Sequence, residues 1–356
     1  MGSTIVCDLY QPKTIASKEM VGDGEYPVFG ANGIIGKHNQ YNHEEAQLLI
    51  TCRGATCGSV NISEPKSWIN GNAMVVRPID NSLNLKFIEY LFRGGIDISK
   101  TITGAAQPQI TRQSLSPVLI SYPKSLPEQQ RIVAILDEAF AAIAKAKANA
   151  EQNLKNAKEL FDSYLQSVFE NKGEGWEVQR FEDCFKLKSG DGLTSKMMSQ
   201  NGKFPVFGGN GIAGLHDNFN LSGNNVIIGR VGALCGNVRH IKENIWLTDN
   251  AFKVVDFKYD FDHSFLTYLL NLKNLRSFAR QAAQPVISNS SLKDVLLHFP
   301  KSKTEQQTIV QKLDALRTET KKLEAIYQQH LNDLDELKKS ILQKAFNGEL
   351  KTTTPH

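Results

Sequence analysis

A chain of 356 residues with 41% apolar and 22% charged side chains is long enough for two or three globular domains. It has no apolar run near the eighteen or so residues of a membrane span, and no signal-peptide pattern opens it. A net charge of +4 permits nucleic-acid binding without requiring it, and five cysteines without a framework spacing fit a reducing cytoplasm.

In chain order, residues 1–125 read as a globular part. YPVFGANGIIG runs from Tyr26 to Gly36, and ITCRGATCGSV from Ile50 to Val60. Short β-rich runs at Gln47–Thr51 and Ala73–Arg77 are punctuated by Asn-Gly and other glycine turns. A short helix is predicted at Lys86–Arg93, then a loop, AAQPQI, from Ala105. Pro123 to Pro127 is a linker.

Residues 126–172 predict one long helix. Ile132, Leu136, Ala139, Ile143, Ala146, Ala150, Asn153, Ala157, Leu160 and Tyr164 keep a strict 4-3 spacing, the seam of a coiled coil. No proline interrupts it after the opening, and Glu128 sits in the first turn, where the helix dipole favours a carboxylate. At about 1.5 Å per residue the rod measures roughly 65 Å. Such a helix cannot hide its apolar stripe alone and needs a partner.

Gly173-Glu-Gly175 marks a boundary, after which everything returns. Phe204 to Gly214 reads FPVFGGNGIAG, and Ile228 to Val238 reads IGRVGALCGNV, both 178 positions after their counterparts. Asn250-Ala251 repeats Asn72-Ala73. Runs at Asn225–Ile228 and Ala251–Val255 repeat the strands, and His263–Leu270 repeats the short helix. AAQPVI from Ala282 repeats the loop at an offset of 177, and Pro300–Thr304 repeats the linker. Residues 173–302 form a second globular part and 303–350 a second rod, with Glu305 in its first turn. Its seam is Ile309, Leu313, Leu316, Thr320, Leu323, Tyr327, His330, Leu334, Leu337 and Ile341. Asn153 and His330, polar at equivalent seam positions, either set the register or lie exposed. The fold class is α+β: two mixed α/β heads and two long helices, related by internal duplication. Antiparallel rods would put the heads at opposite ends about a pseudo-twofold axis, and parallel rods at the same end. The linker allows either.

Gly209, Gly211 and Gly214 match a dinucleotide or S-adenosylmethionine fingerprint, but Ala31 breaks it in the first copy, and no strand and helix flank it. They read as a turn scaffold. No Pro-Pro occurs, so the tetrapeptide of adenine methyltransferases is missing. Cys52 and Cys57 have only Arg230 and Cys235 as counterparts, which leaves no zinc set. These are core or turn cysteines. The chain reads as non-catalytic, with neither metal nor cofactor.

The duplicated order of YPVFGANGIIG, a GATCG-type turn, AAQPQI and PEQQRIVAILD resembles the specificity subunits of type I restriction-modification systems, over essentially the whole chain. The resemblance implies two target recognition domains, each reading half of a bipartite site in double-stranded DNA. It implies an antiparallel coiled coil that sets the spacing, and two methyltransferase subunits docked along it. Restriction and translocase subunits join them, and catalysis with its cofactors belongs to those partners. Against that family the chain is short, and the segment usually preceding the first recognition domain is expected to be trimmed.

DNA contact needs cations for phosphates and polar side chains for base edges. The candidates are Lys13, Lys18, Lys37, His38, Arg53 and Arg112 in the first head, and Lys188, Lys196, His216, Arg230, Arg239 and Lys253 in the second. Gln107 and Gln284, the same in both heads, read as scaffold. Residues 37–45 and 215–223 differ, so the target is expected to be asymmetric, with half-sites about 34–36 Å apart if one helical turn separates them. The rival readings are a methyltransferase fused to its own recognition domain, and a scaffold that binds protein or glycan.

Overall fold

The structure is a computed structural model that describes residues 7–350 except 31, 80, 105 and 281–283. The first head contains β1 (Cys7–Tyr10), β2 (Tyr26–Gly30), β3 (Gly33–His38), β4 (Leu48–Thr51), β5 (Val60–Ile62), β6 (Trp68–Ile69) and β7 (Ala73–Pro78). Helices α1 (Leu85–Tyr90) and α2 (Arg112–Leu115) follow, then the long α3 (Leu126–Glu170). The second half contains β8 (Trp176–Arg180), α4 (Phe181–Cys184), β9 (Lys186–Ser189), β10 (Phe204–Gly208), β11 (Gly211–His216), β12 (Asn225–Gly229), β13 (Val238–Ile241), β14 (Trp246–Leu247) and β15 (Ala251–Val255). It ends with α5 (His263–Leu272), α6 (Asn289–Leu292), β16 (Leu296–Pro300) and the long α7 (Lys303–Phe346).

Each head is a pair of sheets. In the first, an antiparallel sheet of order β1-β7-β4-β5 lies against a mixed sheet of order β3-β2-β6, in which β2 and β6 are parallel. In the second, the orders are β9-β15-β12-β13 and β11-β10-β14. Strand β4 explains why two layers form on it. Its four residues are all buried, and alternate side chains point to opposite faces. Leu48 and Ile50 join Met74, Val76 and Ile88 in one core, while Leu49 joins Phe29, Ile69 and Val75 in another. Strand β12 does the same, with Val226 and Ile228 on one side and Ile227 against Phe207 and Leu247 on the other. The second head also pairs β8 with β16. Residues 119–123, the counterpart of β16, form no strand.

The chain forms two compact units that cut across the linear order. Unit 1 joins the residues up to Glu151 with those from Gln328 onward, and unit 2 runs from Gln152 to Tyr327. Each unit therefore holds one head, the start of its own long helix and the end of the other repeat's. Within unit 1, Leu136 shares a core with Leu342, Phe140 lies under Lys338 at 5.1 Å, and Lys147 pairs with Asp335 at 2.9 Å. Numbers rise along one helix as they fall along the other, so the two segments are antiparallel. Within unit 2, Phe161 lies under Arg317 at 5.6 Å, and Trp176, just past α3, donates to Glu305 at the start of α7 at 3.0 Å. Those segments are antiparallel too.

The seam follows the 4-3 spacing only in part. Ile132, Leu136, Ile143, Ala150 and Ala157 are buried, but Leu160 is 48% and Tyr164 36% exposed, and Phe161 and Leu165 turn inward instead. In α7, Leu313 and Thr320 are buried while Leu323 and Leu337 are 37% and 47% exposed. A helix of 3.6 residues per turn drifts about 20° per heptad from a 3.5 repeat, so along α3 the inward position passes to the next residue, from Leu160 to Phe161. Asn153 and His330 lie on the exposed side for the same reason, with Leu154 and Leu331 beside them turned in.

One buried glutamine fastens each long helix to its head. The Gln129 carboxamide accepts from the Asn84 backbone N–H at 2.8 Å and donates to the carbonyls of Ser82 and Pro123. Asn84 is the N-cap of α1, its side chain accepting from Phe87 N–H. Gln306 repeats the arrangement, accepting from Asp262 N–H at 2.8 Å and donating to Pro300 O at 2.9 Å. Two turns on, the Tyr90 hydroxyl donates to Asp137, and Tyr268 to Asp314 at 2.5 Å. Burial and the adjacent carboxylate push both phenols above their ordinary pKa. Replacing Gln129 with alanine strands a buried N–H and two carbonyls. Urea unfolding should show a loss of about 1–3 kcal/mol, against almost none for the exposed neighbour Gln130→Ala.

Candidate nucleic-acid interface

The motifs that both heads share converge at one loop end of each. In the first head Gly54 N–H donates to Pro108 O at 3.1 Å, Ile110 N–H to Cys52 O at 2.9 Å, and Cys52 N–H to Asn72 O at 3.0 Å. Thr56 reaches Asn32 of the β2–β3 turn. In the second head Gly232 N–H donates to Pro285 O at 3.2 Å, Ile287 N–H to Arg230 O at 2.9 Å, Arg230 N–H to Asn250 O at 2.9 Å, and Leu234 N–H to Asn210 Oδ1 at 2.9 Å. The repeated loop is thus a clasp on the glycine turn. Gln107 and Gln284 sit in it, exposed, while Ala105, Ala282 and Ala283 lie outside the described residues.

The glycines of the fingerprint-like stretch are packing elements. A Cβ at Gly209 would lie 1.9 Å from the Val231 carbonyl oxygen, and Gly211 has φ +104° at the hairpin turn. Its counterpart Ala31 lies outside the described residues. Cys52, Cys184 and Cys235 are buried in the cores, and Cys57 packs partly against one. Burial pushes the Cys184 thiol up to about 12 and Cys7 up to about 11, far from a reactive thiolate. Among the described residues no group of three or more His, Cys, Asp or Glu is placed to hold a metal.

The sequence candidates divide by what surrounds them. Lys13, Lys37 and Arg53 are exposed, and Arg112 is exposed with Asp8 3.9 Å away. Lys18 and Lys196 occupy the same exposed 3-10 turn in both heads, Ser17–Glu19 and Ser195–Met197. His38 and His216 instead pack edge-on against Trp68 and Trp246, at 5.3 and 4.8 Å, with their Nδ1 atoms buried. Arg230, at the place of the buried Cys52, turns inward over the Phe252 ring at 5.2 Å. Arg239, half-buried, lines a groove of about 1200 Å³ together with His240, Phe161 and Arg317. Burial holds its guanidinium below the ordinary arginine pKa.

The heads contrast on one face of the four-stranded sheets. In the second head Lys188 and Lys253 stand directly opposite each other across β9 and β15, with Ile227 and Arg239 continuing the row. Like charges so placed repel, and an anion between them would relieve it. In the first head the same positions are Tyr10, Val75, Leu49 and Asn61. There the Tyr10 hydroxyl meets His43 Nε2 at 2.9 Å, Arg77 lies over the Tyr10 ring at 5.4 Å, and Arg77 Nε donates to Gln47 Oε1 at 3.2 Å. The second head has Leu221, Val255 and Asn225 in place of His43, Arg77 and Gln47. Tyr10, His43, Gln47 and Arg77 escape a search for basic loops. The signal that finds them is the repeat itself, since these positions change while both backbones keep the same pairing.

The family described as type I restriction modification DNA specificity domain matches residues 6–155 and 173–332. The chain is 29% identical over 183 residues to the type I restriction enzyme EcoprrI specificity subunit of Escherichia coli, covering 50% of this chain and 45% of that one. It is 28% identical over 176 residues to the MjaIX specificity subunit of Methanocaldococcus jannaschii, covering 44% and 40%. In both cases the chain spans less than half of the relative's length. Among solved structures, a chain from work on complex assembly and conformational transition of the type I R-M system aligns with TM-score 0.74 at 16% identity, covering 98% of this chain and all of that one. The HsdS subunit from Thermoanaerobacter tengcongensis aligns with TM-score 0.60 at 20% identity, covering 87% and 82%. At these identities the likeness is one of fold.

His43 supplies a pH test of the first head. Its Nδ1–H donates to Asn42 Oδ1 at 2.6 Å, an oxygen that can only accept, so Nε2 is left to accept from Tyr10. Burial, and then the nearby Arg77 charge, hold the imidazole below its usual pKa. The unfolded chain therefore takes up the proton first. The stability His43 gives is complete above the unfolded value of about 6.5, and is lost as pH falls from there toward the depressed native value. Urea unfolding between pH 7.5 and 5 should show a steeper loss for the unaltered chain than for His43→Leu.

Proposed function

Because the chain belongs to the family of type I restriction-modification DNA specificity domains, we propose that it is a non-catalytic subunit that reads a bipartite, asymmetric site in double-stranded DNA. The observation that carries this reading is the pair of heads with one sheet order and different side chains on the same face. A shared scaffold suits what both half-sites have in common, the phosphate backbone, and divergent side chains suit what differs, the bases. Lys18 and Lys196, equivalent and exposed, are the first candidates for phosphate, and Lys188 with Lys253 belongs to the face that differs between the heads. Lys13, Lys37, Arg53 and Arg112 add to the field of the first head. His38 and His216 hold the hairpins in place through their tryptophans, and Arg230 braces its turn.

The long helices are the spacer in this reading. Each supplies one segment to unit 1 and another to unit 2 without a break in the helix, so its length fixes how far apart the half-sites lie. Methyltransferase subunits dock along the helices and supply the chemistry, and restriction subunits join them. The exposed apolar residues Leu160 and Tyr164 on α3 and Leu323 and Ile326 on α7 are surface that a docked protein would cover.

Four residues inserted into both α3 and α7 add about one turn, roughly 6 Å. Sequencing the sites methylated when this variant is expressed with its methyltransferase partner should return both half-sites unchanged and a longer spacer between them. An unchanged spacer would remove the helices from that role. Binding of S-adenosylmethionine by this chain alone would favour a fused methyltransferase instead, and a DNA affinity indifferent to salt would favour a protein- or glycan-binding scaffold.

A further inference from the structure

On the reading that the heads recognise DNA, we propose that Arg77 is a base-reading residue of the first head, taking a base edge that offers two acceptors, as guanine does in the major groove. Its side chain is prepared for one task. Nε is committed to the Gln47 carbonyl at 3.2 Å, and Gln47 is itself held, its side chain donating to Glu45 O at 3.0 Å and its backbone N–H donating to Ser63 Oγ at 2.9 Å. The guanidinium lies over the Tyr10 ring at 5.4 Å, and Tyr10 is fixed by His43. His43 is fixed by Asn42, which clips the backbone of Ile69 through both atoms of its carboxamide.

This chain of contacts ends on an exposed residue near the end of β7, with both Nη groups of the fork left over. Among the described residues no carboxylate forms an ion pair with Arg77. Asp8, its cross-strand partner, pairs with Arg112 at 3.9 Å instead. A planar fork held from behind, with its outer donors free, matches the O6 and N7 acceptors of guanine.

Phosphate oxygens offer the same acceptor chemistry, and the duplication decides between the two. Phosphates are present at both half-sites, so a cation that grips them should recur, as Lys18 and Lys196 do. Position 77 is Val255 in the second head, and with it go Tyr10, His43 and Gln47, replaced by Lys188, Leu221 and Asn225. The entire array behind the guanidinium is specific to one head, as a base reader requires. Tyr10 and Gln47 are positioning residues in it.

The test uses the full chain with its methyltransferase partner and compares Arg77→Ala and Arg77→Lys with the unaltered complex, by sequencing methylated sites and by DNA titration at several salt concentrations. Both variants should lose discrimination for guanine at one position of one half-site, by about five- to 150-fold, with the other half-site intact. The lysine variant keeps the charge and still fails, because it lacks the fork. Tyr10→Leu and Gln47→Ala should relax the same position more weakly. Unchanged half-sites with a salt slope lower by about one would make Arg77 a phosphate contact and overturn the proposal. Unchanged half-sites and slope would overturn it equally. An unaltered complex without salt-dependent DNA affinity would instead overturn the reading of the heads as DNA-binding.

Discussion

An amphipathic helix needs something to cover its apolar stripe, and in this chain the cover comes from the other repeat, running the opposite way. Leu136 and Leu342 meet within one compact unit, and Leu165 and Leu313 within the other. Neither repeat forms a compact unit by itself. Residues up to Glu151 join those from Gln328 onward, while the middle of the chain makes up the rest. A buried glutamine then fixes each helix to the N-cap of a head helix, with a tyrosine–aspartate contact two turns further on. These two links, made twice, set the angle at which each head leaves its helix.

On that frame the heads keep what they share apart from what they do not. The glycine turn, the Gln-Pro loop and the Asn-Ala step clasp one another through backbone hydrogen bonds, with the turn glycines at positive φ, and their sequences change little between copies. The sheet face at β1 and β7, or at β9 and β15, carries side chains free of that clasp. There a tyrosine–histidine–arginine array in one head stands where the other has two opposed lysines. A constant backbone with a changeable face would let one duplicated fold recognise two different ligands. A cation–aromatic contact joins the helices in both units, Lys338 over Phe140 in one and Arg317 over Phe161 in the other, with the cation on α7 and the ring on α3 each time.

The duplication, the helix limits near residues 126 and 303, and the strand at Ala251–Val255 were legible in the sequence, because each rests on a local pattern repeated twice. The seam was legible in α3 as far as Ala157 and in α7 only as far as Thr320. After that the difference between 3.5 and 3.6 residues per turn moved the inward face from Leu160 to Phe161 and from Tyr164 to Leu165, a drift that spacing alone does not reveal. Basic residues were visible as such, but their surroundings were not. His38 and Arg230 look like ligand contacts in the sequence, and in the fold they lie on Trp68 and Phe252. Arg77 does not stand out in the sequence because it closes a strand that reads as core, and only the pairing of β1 with β7 brings Tyr10 beneath it. The β8–β16 pair leaves no local signature, because its two strands are more than a hundred residues apart.

The central claim is that each head reads its half-site by itself, from residues carried on a common scaffold. It is tested most directly by a chain in which residues 181–299 also replace their counterparts in the first head, so that both heads carry the second head's face. Expressed with the methyltransferase partner and read by sequencing of the methylated sites, this chain should modify sites built from two copies of one half-site of the original target. Continued methylation of the original asymmetric target would contradict the account.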